Sequence, residues 1–275
     1  MQPELPIRRD TVAVLIPALN EALRITEVVS ECLQQCDTVI VVDDGSTDDT
    51  VACLQGLPVT VLRHAQRRGK GAALRTGFAH ALSLGVTGVV TMDGDGQHSA
   101  SDIPRLLASA NRHPGNIIIG ARLRNRAAKP PLRRMANEFG DWGIAWGTGY
   151  QVADSQSGQR FYPAALMALT DVPGEDFVFE AQIVISAARQ LGMGCVSVPI
   201  ESRYAQASSP QQFRRSHFRP LRDLWRITSH IVAQAVRRGG LYGVYRQVQA
   251  HPAVIDDPSG EFSQPPLSDR TKPLP

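Results

Sequence analysis

No stretch of this chain approaches the roughly 18 uninterrupted apolar residues that cross a bilayer, and its first ten residues, MQPELPIRRD, lack the apolar core of a secretory signal. Both absences point to a protein that stays in the cytoplasm. Cysteine is scarce: Cys32, Cys36, Cys53 and Cys195 make no CxxC pair and sit in no histidine pattern that would hold zinc. Cys32 and Cys36 fall four apart on an expected helix, so buried free thiols are expected rather than a disulfide. Strong charge of either sign is missing too, and a net charge of +3 over 275 residues gives no ground for a nucleic-acid partner. Only three of the 29 basic residues are lysines, so any basic surface is an arginine surface. No internal repeat is visible, which excludes a solenoid or propeller.

What is present is the composition of an ordinary globular enzyme, 43% hydrophobic and 20% charged. The length fits one catalytic domain of roughly 220 to 240 residues plus irregular tails. TVAVLIP (11–17) is an almost wholly apolar run, as expected of a strand buried on both faces of a parallel sheet. Helical spacing follows over 21–35, then a second strand, TVIVVDD (38–44). GSTDD predicts a turn and helix start with Ser46 or Thr47 as N-cap. PVTVLR (58–63), VTGVVTMDGDG (86–96), NIIIGAR (116–122) and GCVSVPI (194–200) read as further strands. Helices are expected over 69–85, near 101–113 and over 175–191. This alternation predicts an α/β fold, a doubly wound, mostly parallel sheet flanked by helices, with a C-terminal amphipathic helix over 218–236. The expected organisation is an N-terminal extension (1–10), a catalytic domain (11–204), a basic amphipathic helical extension (205–247) and a disordered tail (248–275).

Ligands of such sheets bind beyond the carboxyl ends of the strands, and that is where the acids collect. Asp93 and Asp95 lie two apart just past the fourth strand, with Gln97 adding another oxygen. Hard cations such as Mg²⁺ or Mn²⁺ take carboxylate oxygens together with substrate phosphates, so a metal shared with a diphosphate is the economical expectation. A solvated turn is the plainer alternative for an isolated DGDG. Asp43 and Asp44 close the second strand, where a carboxylate can accept hydrogen bonds from a nucleobase or ribose. Pro17, Asn20 and Glu21 close the first. Arg67-Arg68-Gly69-Lys70-Gly71 offers cations and pliant backbone at a helix start, suited to an anion.

In order along the chain stand IPALNE (16–21), VVDDGSTDDT (41–50), RGKGAALRTGFAHA (68–81), MDGDGQH (92–98), IGAR (119–122) and DSQSGQRFYP (154–163). Together they resemble the family-2 inverting glycosyltransferases with the A-type nucleotide-sugar fold. Within that family the likeness is to the dolichyl-phosphate mannose synthase and polyprenyl-phosphate glycosyltransferase branch. It covers roughly residues 11–204, and six ordered matches are far more specific than any one. The resemblance implies a nucleotide-sugar donor (a UDP- or GDP-hexose), with Pro17, Glu21 and Asp43 on the nucleoside and Lys70 near the donor; Asn20 and Asp44, at the same strand ends, are further candidates for binding it. It implies a Mg²⁺ or Mn²⁺ held by Asp93, Asp95 and Gln97, and an acceptor phosphate met by Arg122, Ser157 and Arg160. DGDG stands where many relatives have alanine between the acids, a change that should spare metal binding.

Asp95 would assist departure of the nucleotide. A polyprenyl-phosphate acceptor is already ionised and needs no general base, whereas a lipid hydroxyl needs a carboxylate; Asp154 and Asp176 are the candidates, with Glu175 and Glu180 nearby. Nine arginines against one acid between Arg203 and Arg246, and five arginines with one lysine against none between Arg122 and Arg134, make two basic surfaces. They point to peripheral contact at the inner face of a membrane, while the same helix could instead pack its apolar face on the domain or close as a lid. Two other functions fit parts of the pattern. One is nucleotidyl transfer to sugar phosphates, although PALNE replaces the glycine-rich loop such enzymes carry; the other is a non-catalytic nucleotide-sugar-binding subunit.

Overall fold

VAVLIPA, without one polar side chain, can leave neither face in water, and it forms the central strand β1 (Val12–Ala18) of the sheet. The computed structural model describes residues 6–124, 131–169, 171–174, 176–201 and 241–260. β1 pairs in parallel with β2 (Thr38–Asp43) and with β4 (Gly88–Thr91), and β2 pairs with β3 (Thr60–Arg63). The far half of the sheet holds β5 (Ile117–Ala121), β6 (Arg160–Pro163), β7 (Cys195–Pro199) and β8 (Val254–Ile255). The order across the eight strands is β3-β2-β1-β4-β6-β5-β7-β8, and β6 alone runs antiparallel to its neighbours β4 and β5.

Helices cover both faces because successive residues of each strand point to opposite sides. Val12, Val14 and Ile16 pack with α1 (Ile25–Gln35) and α3 (Ile103–Arg112), through Ile25, Val29, Ile103 and Leu106. Ala13 and Leu15 pack with α2 (Lys70–Ser83) and α6 (Asp176–Gln190), through Leu74, Phe78 and Ile183. α4 (Pro131–Thr148) and α5 (Ala164–Met167) complete that second layer, and α7 (Leu241–Ala250) docks Val244 and Val248 against Ala145 of α4. No helix among the described residues is long and apolar enough to cross a membrane. The four cysteines are free thiols, with Cys32, Cys36 and Cys195 buried.

Two expectations change, and one strand is added to those expected. The helix expected after Ser46 is a loop with a single 3₁₀ turn at Ala52–Leu54. Its polar side chains serve the neighbouring loop instead of a cap: Ser46 Oγ accepts the Asn20 N–H and Thr50 Oγ1 accepts the Glu21 N–H, both at 2.8 Å. RFYP, four residues of the DSQSGQRFYP stretch, is strand β6, inserted antiparallel between β4 and β5. The chain from 248 to 260 is ordered where a disordered tail was expected, because β8 adds to β7 and Asp256 and Asp257 meet arginines of the domain. The expected amphipathic helix over 218–236 lies outside the described residues.

Candidate functional site

β1 and β2 end level, with Pro17 beside Val42 and Ala18 beside Asp43, so the loops leaving them interlock. Asn20, in the left-handed region at φ 55°, accepts the Thr47 N–H on its side-chain oxygen at 2.8 Å. Asp43 is fully buried; its carboxylate accepts the Ser46 N–H at 3.1 Å and lies 3.1 Å from Arg63 Nε. These contacts shape a wall on which Pro17 and Glu21 stay partly exposed. Asp44, expected to meet the donor, does not face it. Its two oxygens accept the N–H groups of Arg68 at 2.9 Å and Gly69 at 2.7 Å, and His64 Nδ1 stands 2.7 Å away. Asp44 therefore organises the loop that starts α2, the loop that presents Lys70.

Asp93 and Asp95 follow β4 into the same crevice. Lys70 Nζ donates to Asp93 Oδ1 at 2.7 Å and lies 3.1 Å from Glu180 Oε1 of α6, joining three elements through one ammonium. Burial disfavours ionised Asp93, but the charge and hydrogen bond of Lys70, together with His98 and Arg122, outweigh it and hold the carboxyl down at about 2. Burial, and then the Asp93 charge, push Asp95 up to about 6. The Gln97 backbone N–H donates to Asp95 Oδ1 at 3.0 Å, fixing the turn. His98 comes next, buried, with no partner for Nδ1, and desolvation drives it down to about 4, so its imidazole is neutral.

The donor set is two carboxylates with hard oxygens, and no cluster of three His, Cys, Asp or Glu side chains occurs among the described residues. That suits Mg²⁺ or Mn²⁺ completing its shell with water and phosphate better than it suits zinc. Burial and, after it, the neighbouring Asp93 charge both disfavour ionised Asp95, and a divalent cation between the two acids would offset both. The residues fit such an ion.

The 154–160 segment forms the opposite wall. Arg122, at the end of β5, clamps Asp154 by Nε to Oδ2 at 2.7 Å and by Nη2 to Oδ1 at 2.8 Å, while its backbone N–H donates to Oδ2 at 2.7 Å. Asp154, at φ 51°, is anchored by α4: Asp141 accepts the Asp154 N–H at 3.1 Å and the Ser155 N–H at 2.6 Å. Ser157 is buried and accepts the Gln159 N–H. Arg160, expected to meet an acceptor phosphate, is corrected to an interior role. It is 2% exposed and spends its guanidinium on the carbonyls of Ser157, Ser155 and Glu180 and on the Tyr162 hydroxyl. Asp176 begins α6; its side chain, like all of Glu175, lies outside the described residues.

Reasoning from sequence did not find Asp141, Gly158 or His98. Gly158 and His98 stood inside quoted motifs without a role. Asp141 stands just before WGIAWG (142–147) and carries no local signal. Burial lifts the Asp141 carboxyl to about 6, against its hydrogen bonds from Ser155. The folded state thus binds this proton more tightly than the unfolded chain. The resulting stabilisation is complete below the ordinary value of 3.8 and disappears as pH rises through about 6. Asp141→Asn should flatten the fall in melting temperature between pH 4 and 6, by an amount worth about 1–2 kcal/mol. An unchanged wild-type minus variant profile would show that another group titrates there.

Comparison with known proteins gives a consistent set. The sequence pattern of Glycosyl transferase family 2 matches residues 13–167. The UDP-N-acetylglucosamine–dolichyl-phosphate N-acetylglucosaminyltransferase of Methanococcus voltae is 31% identical over 223 residues, covering 71% of this chain and 86% of that protein. The polyprenol monophosphomannose synthase of Mycolicibacterium smegmatis is 29% identical, over 68% of this chain and 75% of that one. Among solved structures, glucosyl-3-phosphoglycerate synthase of Mycobacterium tuberculosis, in complex with Mn²⁺, UDP and glucosyl-3-phosphoglycerate, superposes with a TM-score of 0.57. It shares 23% identity and covers 83% of this chain and 80% of its own, which shows a common fold.

Proposed function

Since this chain belongs to glycosyl transferase family 2, we propose that it moves a hexose, with inversion, from a nucleotide-sugar to a polyprenyl phosphate, using a divalent cation held by Asp93 and Asp95. The observation that carries this reading is the contact between the two walls. Gly158, in the middle of the 154–160 segment, packs against the Asp93 carboxylate, so the acidic cluster and the Arg122–Asp154 clamp border one crevice. The M. voltae relative, named for dolichyl-phosphate, and the M. smegmatis relative, named for polyprenol monophosphomannose, support the acceptor class.

The cation supplies charge neutralisation on the departing diphosphate. The chain's own residues do the rest. Lys70 keeps Asp93 ionised and fixes its direction, and the interlocked 19–24 and 44–50 loops give the nucleoside a preformed wall. Gln97 orients Asp95 through its backbone. Arg122 and the basic run that follows it in sequence offer positive charge to the acceptor phosphate.

Among the described base candidates, Asp154 and Glu180, the state of the acids supports a phosphate acceptor over a hydroxyl. Asp154 has both oxygens engaged by Arg122, and Glu180 is paired with Lys70, so neither is poised to accept a proton. An acceptor already ionised needs no base. Peripheral attachment to a membrane is supported by exposed aromatics on α4 and α7: Trp142, stacked 4.9 Å from Trp146, with Tyr242 and Tyr245.

The test is a transfer assay with purified protein, Mn²⁺ or Mg²⁺, a panel of UDP- and GDP-hexoses, and vesicles carrying either a polyprenyl phosphate or the free polyprenol. Metal-dependent transfer to the phosphate and none to the alcohol is expected. Transfer to the alcohol alone, or no chelator-sensitive transfer with any donor, would overturn the reading.

A further inference from the structure

β5 leads into Arg122, which pairs with Asp154, and two residues later Arg124 reaches the 254–259 segment instead. Arg124 Nη2 donates to Ser259 Oγ at 2.8 Å and lies 3.7 Å from Asp257 Oδ1. The same Asp257 oxygen accepts from Arg105 Nη2 of α3 at 2.9 Å and from the Ser259 hydroxyl at 2.7 Å. Arg105 Nη2 in turn donates to the Pro199 carbonyl at the end of β7, at 2.7 Å. The Asp257 side chain is 8% exposed and is delivered there by β8, whose pairing with β7 continues in the Asp256 N–H to Ser197 carbonyl bond at 2.9 Å.

We infer that residues 254–259 form a strap that positions the acceptor side of the site, with Asp257 and Ser259 as positioning residues acting through Arg124 on Arg122. The inference deepens the proposed function and rests on Arg122 serving the acceptor.

Two backbone hydrogen bonds also hold the segment between the two arginines. Leu123 donates to the Ala121 carbonyl at 2.7 Å, and Arg124 to the Ile200 carbonyl at a long 3.4 Å. Arg122 is fixed on its inner side by Asp154, and the strap fixes the segment on its outer side. A segment clamped at both sides keeps its guanidinium at one place and angle, and small displacements at such a point are costly for a transfer reaction. The strap also supplies its own control. Asp256, one residue away, pairs with Arg112 at 2.7 Å and lies 3.4 Å from His113, on the outer end of α3, and its contacts with described residues do not reach Arg122 or Arg124. Asp256 and Asp257 thus tie the same strap to the domain, and only Asp257 is linked to the acceptor loop.

Asp257→Asn should raise the acceptor KM roughly five- to tenfold, with donor KM and metal-dependent donor hydrolysis unchanged within about twofold. Ser259→Ala, which keeps the carboxylate, should give a smaller rise of the same kind. Asp256→Asn should leave the acceptor KM at the wild-type value. Hydrogen exchange on the intact protein gives a readout independent of substrate: amides of 122–124 and 153–157 should exchange faster in Asp257→Asn and not in Asp256→Asn. Equal effects of the two carboxylate variants, or a proportional loss of donor and acceptor parameters, would reduce the strap to a general stabiliser. Unchanged exchange over 122–124 would overturn the inference outright. If the wild type transfers to no polyprenyl phosphate, the proposed function fails, and the exchange comparison alone decides the strap.

Discussion

Gly158→Ala should lower transfer between a hundred- and a thousandfold while leaving the protein folded. A Cβ built on Gly158 falls 2.6 Å from Asp93 Cγ and 2.8 Å from Oδ1, and closer still to Oδ2. No real Cβ tolerates that, so something must move. The backbone of Gly158 is held, because its carbonyl accepts the Thr91 hydroxyl at 2.8 Å and β6 begins two residues later. The Asp93 carboxylate is the movable partner, and turning it aside breaks its 2.7 Å bond to Lys70 and separates it from Asp95. The fold has less at stake: Gly158 is outside the left-handed region, so alanine meets no backbone strain. A melting temperature within a few degrees of wild type, together with a collapse in kcat, is the expected pair of measurements. Wild-type transfer would show that Asp93 needs no fixed direction.

That consequence was invisible in the sequence even though both residues were in plain view. DGDG and DSQSGQR were each legible as segments past a strand end, because long apolar runs such as TVAVLIP and NIIIG announce buried parallel strands by themselves. What a one-dimensional pattern does not carry is the insertion of β6 between β4 and β5. RFYP has only Phe161 and Tyr162 as apolar content, and its place is decided by partners 41 to 75 residues away. That insertion brings Gly158 onto Asp93. Burial is the second hidden quantity. Asp44 and Arg160 have the chemistry for ligand binding, but their polar atoms are consumed by backbone groups of the Arg68–Gly69 turn and of Ser155, Ser157 and Glu180. The strap is the third case: Val254 and Ile255 are too short a run to read as a strand until β7 is there to pair with them.

Asp154→Asn should cost the fold roughly 3 kcal/mol, a drop of about 6–12 °C in melting temperature. The Arg122 side chain is 9% exposed and that of Asp154 5%, so solvent does little to screen the pair. Asparagine keeps the size of the residue and its tolerance of the left-handed backbone at φ 51°, so the change isolates the charge. It leaves a guanidinium buried without its counter-ion and turns one acceptor oxygen into a donor facing Arg122 Nη2 or the Arg122 Nε and N–H. The cost is therefore mostly that of the orphaned cation, and removing the cation should recover part of it. Arg122→Met in the Asp154→Asn background is expected to be more stable than Asp154→Asn alone, while Arg122→Met with Asp154 intact leaves a buried carboxylate and is destabilised in its turn. Denaturant melts of the four proteins give the coupling directly, and additive losses would mean that the pair is not the source. The activity readings should diverge from the stability readings. The double variant regains stability but not transfer, because the positive charge proposed to meet the acceptor phosphate has gone, and that divergence separates the pair's part in holding the wall from Arg122's part in the reaction.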